Sequence, residues 1–130
     1  MPEQWDWKPY SECMSIKEII AHLISDDRAA LNSMKSGKEP DYAAFQEAER
    51  DLDKLLELLA SSHKDLLNWL CEAYQSTPLD TMVSIWGMKM PLASAIAAAS
   101  SEEYYHSGQV AFIRLATDPK WDYYSSIYDM

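Results

Sequence analysis

The sequence predicts an all-α fold with about three long helices. Apolar residues recur at three- and four-residue spacing over three long stretches, and only three glycines fall in 130 residues. The one stretch with extended character is short. A hydrophobic fraction of 48%, with eight Tyr and five Trp, supplies enough apolar surface for a packed core and excludes a disordered chain. The length fits one domain, so residues 1–130 are expected to fold as a single unit.

Residues 1–14 hold Trp5, Trp7, Pro9 and Tyr10 without a sustained period and read as an aromatic arm that packs on something. Ser15-Ile16-Lys17-Glu18 fits a capping box and starts the first long helix. Its buried stripe is Ile16, Ile19, Ile20, Leu23, Ile24, Leu31 and Met34, and Gly37 with Pro40 ends it. From about Asp41 to Tyr74 the positions Phe45, Ala48, Leu52, Leu55, Leu56, Leu59, Leu66, Leu67 and Leu70 keep helical period. That predicts one long helix or two nearly collinear ones. Glu47, Glu49, Arg50, Asp53, Lys54 and Glu57 form its solvated face, while His63 continues the apolar stripe and should point inward as a satisfied core histidine.

Pro78 closes that helix, and Thr81 to Pro91, around Gly87, reads as an extended or hairpin connector. The last long helix starts near Pro91 and runs to about Ala116, its first half thinned by Ala93, Ala95, Ala97, Ala98 and Ala99. Beyond Pro119 the tail, with Trp121, Tyr123, Tyr124, Ile127 and Tyr128, is too aromatic to be left in solvent.

The formal charge of -10 excludes nucleic acid and anionic membranes as partners, since both repel an acidic surface. Cys13 and Cys71 lack CxxC spacing and read as buried thiols. No leader sequence and no apolar run of about 20 residues is present, so a cytoplasmic protein is expected. No Ser-His-Asp or Cys-His relay, Walker loop or GxGxxG occurs.

Chemistry concentrates on the last helix. Glu102 and His106 lie one turn apart, on or beside the stripe of Ile96, Ala99, Val110 and Ile113. Burying an unpaired charge costs several kcal/mol, so this pair needs a metal or a hydrogen-bond network. Glu103-x-x-His106 also matches the Glu-x-x-His of di-iron bundles, but neither His22 nor His63 has the Glu three residues earlier that a second such motif requires.

His106-Ser107-Gly108-Gln109-Val110, followed by Ile113-Arg114, resembles the His-Arg-Gly-Gln signature of the DinB/YfiT-like proteins. Trp7-Lys8-Pro9, Met14-Ser15-Ile16-Lys17-Glu18 and Ile20-Ala21-His22-Leu23 resemble the segment holding that family's first ligand histidine. The resemblance implies a DinB-like four-helix bundle, with about three of its long helices supplied by this chain, and a divalent ion: zinc, nickel or iron. It places the metal ligands at His22, Glu102 and His106, with Glu102 standing where the family's last-helix pair has its first histidine. Asp26 could orient His22, and Tyr104, Tyr105 and Arg114 are candidate pocket residues, with no catalytic residue assigned.

Two functions follow from the resemblance. The first is a divalent-metal-dependent enzyme, a thiol-dependent transferase or isomerase acting on a small molecule. The alternative is a noncatalytic DinB-like binding or assembly protein whose metal site is structural or degenerate. Only some fourteen residues precede Ser15, where the family usually has a further helix. A homodimer or higher assembly is therefore expected, in which a partner's helix, aromatic arm or tail covers the exposed groove.

Overall fold

Ser15 begins the first long helix as its sequence requires. In the computed structural model, which describes residues 2–128, its Oγ accepts from Glu18 N at 3.3 Å while Glu18 Oε2 accepts from Ser15 N at 2.9 Å. Two donors that the helix cannot satisfy internally are thus paired. Helix α2 spans Ile16–Ser36 and ends on Gly37, whose φ of 68° is the left-handed turn that glycine adopts at least cost. Before it, the arm forms a short helix, α1, at Pro2–Asp6.

The second long stretch forms neither the single long helix nor the two collinear helices expected of it: only its second half is a long helix. A single turn, α3 (Tyr42–Phe45), is followed by extended backbone at Gln46, and the long helix α4 spans Leu52–Ser76. The cause lies in the charged segment. Glu49 Oε1 accepts from the backbone N of both Arg50 and Asp51, and Asp51 caps α4 by accepting from Lys54 N. These bonds compete with helical ones. Glu47 then fastens the segment to α2: its carboxylate meets Arg28 Nη1 at 2.8 Å and its N–H donates to Ser25 Oγ at 3.1 Å.

Strands β1 (Met82–Ile85) and β2 (Met88–Pro91) form an antiparallel hairpin, with Ile85 opposite Met88. The two-residue turn between them has positive φ at Trp86 (50°) and Gly87 (79°), the mirror-image geometry that matches strand twist. Trp86 bears that φ because its neighbours hold it: its N–H donates to Ser33 Oγ at 2.8 Å and its indole N–H to Asp26 O at 3.1 Å. Helix α5 (Leu92–Thr117) follows at once, and the tail forms α6 (Tyr123–Tyr128).

The core has two parts along α2. Near its start, Ile16, Ile19, Ile20, Leu23 and Ile24 pack with Leu55 and Ile113, and Trp5 and Trp7 lean on the same cluster. Near its end, Ala30 and Met34 pack with Leu66, Leu70, Ile85 and Ala95. Each fully buried Leu or Ile contributes about 1.5–3 kcal/mol. The pairings fix the directions. Positions on α4 rise with α2, so those helices are parallel and residues 37–51 make the crossover; positions on α5 fall, so it runs antiparallel to α2.

The buried-thiol expectation fails here: Cys71 is exposed, and Cys13 is only half buried. The tail is held by Trp121, whose ring lies 4.3 Å from the Arg114 guanidinium carbon, but Tyr124 and Tyr128 remain exposed. The side chain of Ile127 lies outside the described residues. Among the described residues no helix is long and apolar enough to cross a membrane.

Candidate metal centre

The antiparallel pairing of α2 and α5 sets His22 against His106 with their ring centroids 4.8 Å apart, edge to face. One turn along each helix stands a carboxylate: Asp26 Oδ2 is 3.1 Å from His22 Nε2, and Glu102 Oε2 is 3.4 Å from His106 Nε2. One donor atom from each of the four residues lies within 4.8 Å of every other. His22, Glu102 and His106, separated by up to 84 positions, therefore meet at one point.

His106 is almost wholly buried, with 3% of its side chain exposed, whereas 40% of the His22 side chain is open. Gln109 sets the buried ring's tautomer. Its Oε1 lies 2.7 Å from His106 Nδ1 and can only accept, so Nδ1 carries the proton and Nε2 presents a lone pair toward Glu102. Gln109 Nε2 in turn donates to Tyr105 Oη at 3.4 Å. Burial raises the Asp26 carboxyl above its ordinary value; His22 opposes the rise, Glu102 adds to it and His106 opposes it again.

The donor set fits a divalent cation. Ligands about 2.1 Å from a tetrahedral ion stand about 3.4 Å from one another, and the two His–carboxylate separations lie close to that edge. Two imidazoles and two carboxylates suit zinc, nickel or iron.

A sequence profile of the DinB superfamily matches residues 1–110. The chain belongs to the DinB superfamily. A crystal structure of a DinB-like protein from Bacillus subtilis superposes with a TM-score of 0.65, covering 95% of this chain and 82% of that one at 21% identity. At that identity the likeness shows the shared DinB fold alone. No curated protein matches.

Two parts of the site differ from what the sequence led us to expect. Asp26, expected only to orient His22 from one turn away, stands among the donors itself, and His22-x-x-x-Asp26 repeats the spacing of Glu102-x-x-x-His106. The second is His63, expected to be satisfied in the core. Its Nδ1 is sealed from solvent without a hydrogen bond, between the carboxylates of Asp27 and Glu103. The candidate pocket residues diverge. Tyr104 lines a groove between α4 and α5, Tyr105 contacts the His106 ring at 5.0 Å, and Arg114 is taken up by Trp121.

Proposed function

We propose that this DinB-superfamily chain is a divalent-metal-dependent enzyme that uses His22, Glu102 and His106, with Asp26, to bind the ion, and acts on a small molecule together with a thiol. The carrying observation is the convergence of two imidazoles and two carboxylates from α2 and α5. A bound cation would supply Lewis-acid character, lowering the pKa of a thiol or water that shares it. This chain's own residues do the rest. His106 is held rigid by Gln109, and the more open His22 borders a groove of about 720 Å³ that also reaches Asp26, Cys13 and Tyr42. That groove gives a small electrophile a way in.

One observation favours the noncatalytic reading. With Asp26 the set counts four protein ligands, the number that closes a tetrahedral structural zinc site, whereas catalytic sites keep a position open. Nickel or iron with more ligand positions would leave room for substrate. Metal analysis of protein purified without chelators, followed by thiol-dependent consumption of an electrophile, separates the two. One ion per chain with turnover supports the enzyme. An ion without turnover across several low-molecular-weight thiols supports the structural role, and absence of any ion overturns both metal readings.

The proposal includes a homodimer in which a second copy covers the groove between α4 and α5. Exposed Leu67, Tyr74 and Tyr104 on its walls support it.

A further inference from the structure

We propose that Asp27, His63 and Glu103 form a second divalent-cation site, separate from the His22–His106 centre, at the point where α2, α4 and α5 meet. Each helix supplies one donor, and the three donor atoms lie within 4.8 Å of one another. This inference does not rest on the first centre's being occupied.

His63 Nδ1 carries the argument. It faces Glu103 Oε1 at 3.3 Å and Asp27 Oδ2 at 3.7 Å, is shut off from solvent, and makes no hydrogen bond. A ring N–H bound to a carboxylate would be aligned and about 2.7–3.2 Å long, which neither contact satisfies. Donors sharing a tetrahedral ion stand about 3.4 Å apart, and both contacts fall near that value. A buried nitrogen lone pair beside two carboxylate oxygens is repulsive unless a cation lies between them.

The surroundings fit the same assignment. Asp27 is 5% exposed, and the buried Ser62 hydroxyl donates to its Oδ2 at 3.0 Å, orienting the oxygen that faces His63. Two carboxylates and a neutral imidazole sum to two negative charges, which one divalent ion balances. The site is also separated from the first by helix geometry. Asp27 follows Asp26 and Glu103 follows Glu102, and successive helical residues point about 100° apart, so α2 and α5 each send one carboxylate to each site. Helix α4, which gives nothing to the first site, completes the second through His63. That residue and Glu103 end a groove of about 520 Å³ walled by Leu66, Leu70, Ile96 and Ala99, through which an ion can enter.

One imidazole with two carboxylates selects cations of the hard-to-borderline class, Mn²⁺ or Zn²⁺. The test is equilibrium dialysis of metal-stripped full-length protein against Zn²⁺ alone, with metal read by atomic emission. Wild type should hold one more Zn²⁺ per chain than His63→Ala. Glu103→Gln, at a half-exposed position that leaves the fold intact, should lose the same ion, while Asp27→Asn is a third variant whose folding is checked by circular dichroism. His106→Ala reports separately on the first centre and should leave the His63-dependent ion in place. Equal Zn²⁺ in wild type, His63→Ala and Glu103→Gln overturns the second site, whatever His106→Ala does, because adventitious binding to the acidic surface would be common to all. Loss of every ion in His63→Ala also overturns it, by making His63 part of a single centre.

Discussion

Gln109 Oε1 accepts a hydrogen bond from His106 Nδ1 at 2.7 Å, within one turn of α5. The contact fixes which imidazole nitrogen is free, and partners of this kind typically change metal affinity 10–100-fold when removed. Gln109→Ala should therefore weaken metal binding by about that factor, measured by competition with a chelator. Gln109→Glu keeps an acceptor and should restore most of it. Because Gln109 is only half buried and its bond lies within its own helix, the melting temperature of the metal-free protein should move little in either variant. Unchanged affinity in Gln109→Ala would remove the residue from the site.

Burial pushes the Asp27 carboxyl up to about 6 from 3.8, a rise that the Ser62 hydroxyl opposes and Glu103 reinforces. The folded state thus holds a proton that the unfolded state has released between pH about 4 and 6, so in metal-free protein stability is greatest below that window and falls as pH rises through it. Two pH units correspond to about 3 kcal/mol. Denaturant titrations of chelator-treated protein at pH 4.5 and 7 should show about 2 kcal/mol of that loss on top of the other carboxylates' contributions, because part of it has already occurred by pH 4.5. Asp27→Asn should shrink the pH 4.5-to-7 difference by on the order of 2–3 kcal/mol. An unchanged difference in the variant would show that Asp27 does not titrate in this range.

Ser33 is fully buried, and its hydroxyl accepts from Trp86 N at 2.8 Å while donating to Ser84 O at 3.3 Å. It pins the hairpin turn, with its positive φ at Trp86, to α2. Ser33→Ala leaves the Trp86 N–H without a partner and should cost about 1–3 kcal/mol in urea unfolding. Ser101→Ala, which removes an exposed hydroxyl bonded only within its own helix, should stay within about 0.5 kcal/mol. Equal costs would mean that the turn is held by packing instead.

What the sequence displayed, and what it concealed, follows from how local the determinants are. Ser15, Glu18, Gly37 and Pro91 act on backbone within one turn, and the helix limits they mark agree with the structure to within a residue. The break at Gln46 was hidden because the apolar period of Phe45, Ala48 and Leu52 runs straight across it while Glu47, Glu49 and Asp51 redirect backbone hydrogen bonds. At the site, His22, Glu102 and His106 were found through motif likeness, since no period in the sequence reports that α2 and α5 run antiparallel with His22 level with His106. Asp26 needed only the one-turn spacing from His22. The Asp27–His63–Glu103 cluster could not be read at all, because it joins three helices whose rotation about their axes is set by packing.

The last prediction concerns assembly. Leu56, Leu67 and Tyr74 lie on one face of α4 at 43%, 45% and 61% exposure, and Tyr104, Phe112 and Leu115 lie on one face of α5 at 81%, 58% and 45%. Leu67, Tyr74 and Tyr104 flank the groove that separates the two helices. Such a run of apolar surface is rarely left open in a monomer, and a two-fold pair closes it by laying the same stripe of each copy into the groove of the other. The arm does not serve as the cover expected of it, since Trp5 and Trp7 pack on their own core. Sedimentation velocity at micromolar concentration should therefore give twice the 14.9 kDa chain mass. With ten net negative charges per chain, added salt should strengthen the pair by screening repulsion. Tyr104→Glu places two further like charges at the centre of the interface and should yield a folded monomer, with helical content unchanged because the ring is exposed. A wild-type chain that sediments as a compact monomer at both low and high salt overturns the dimer.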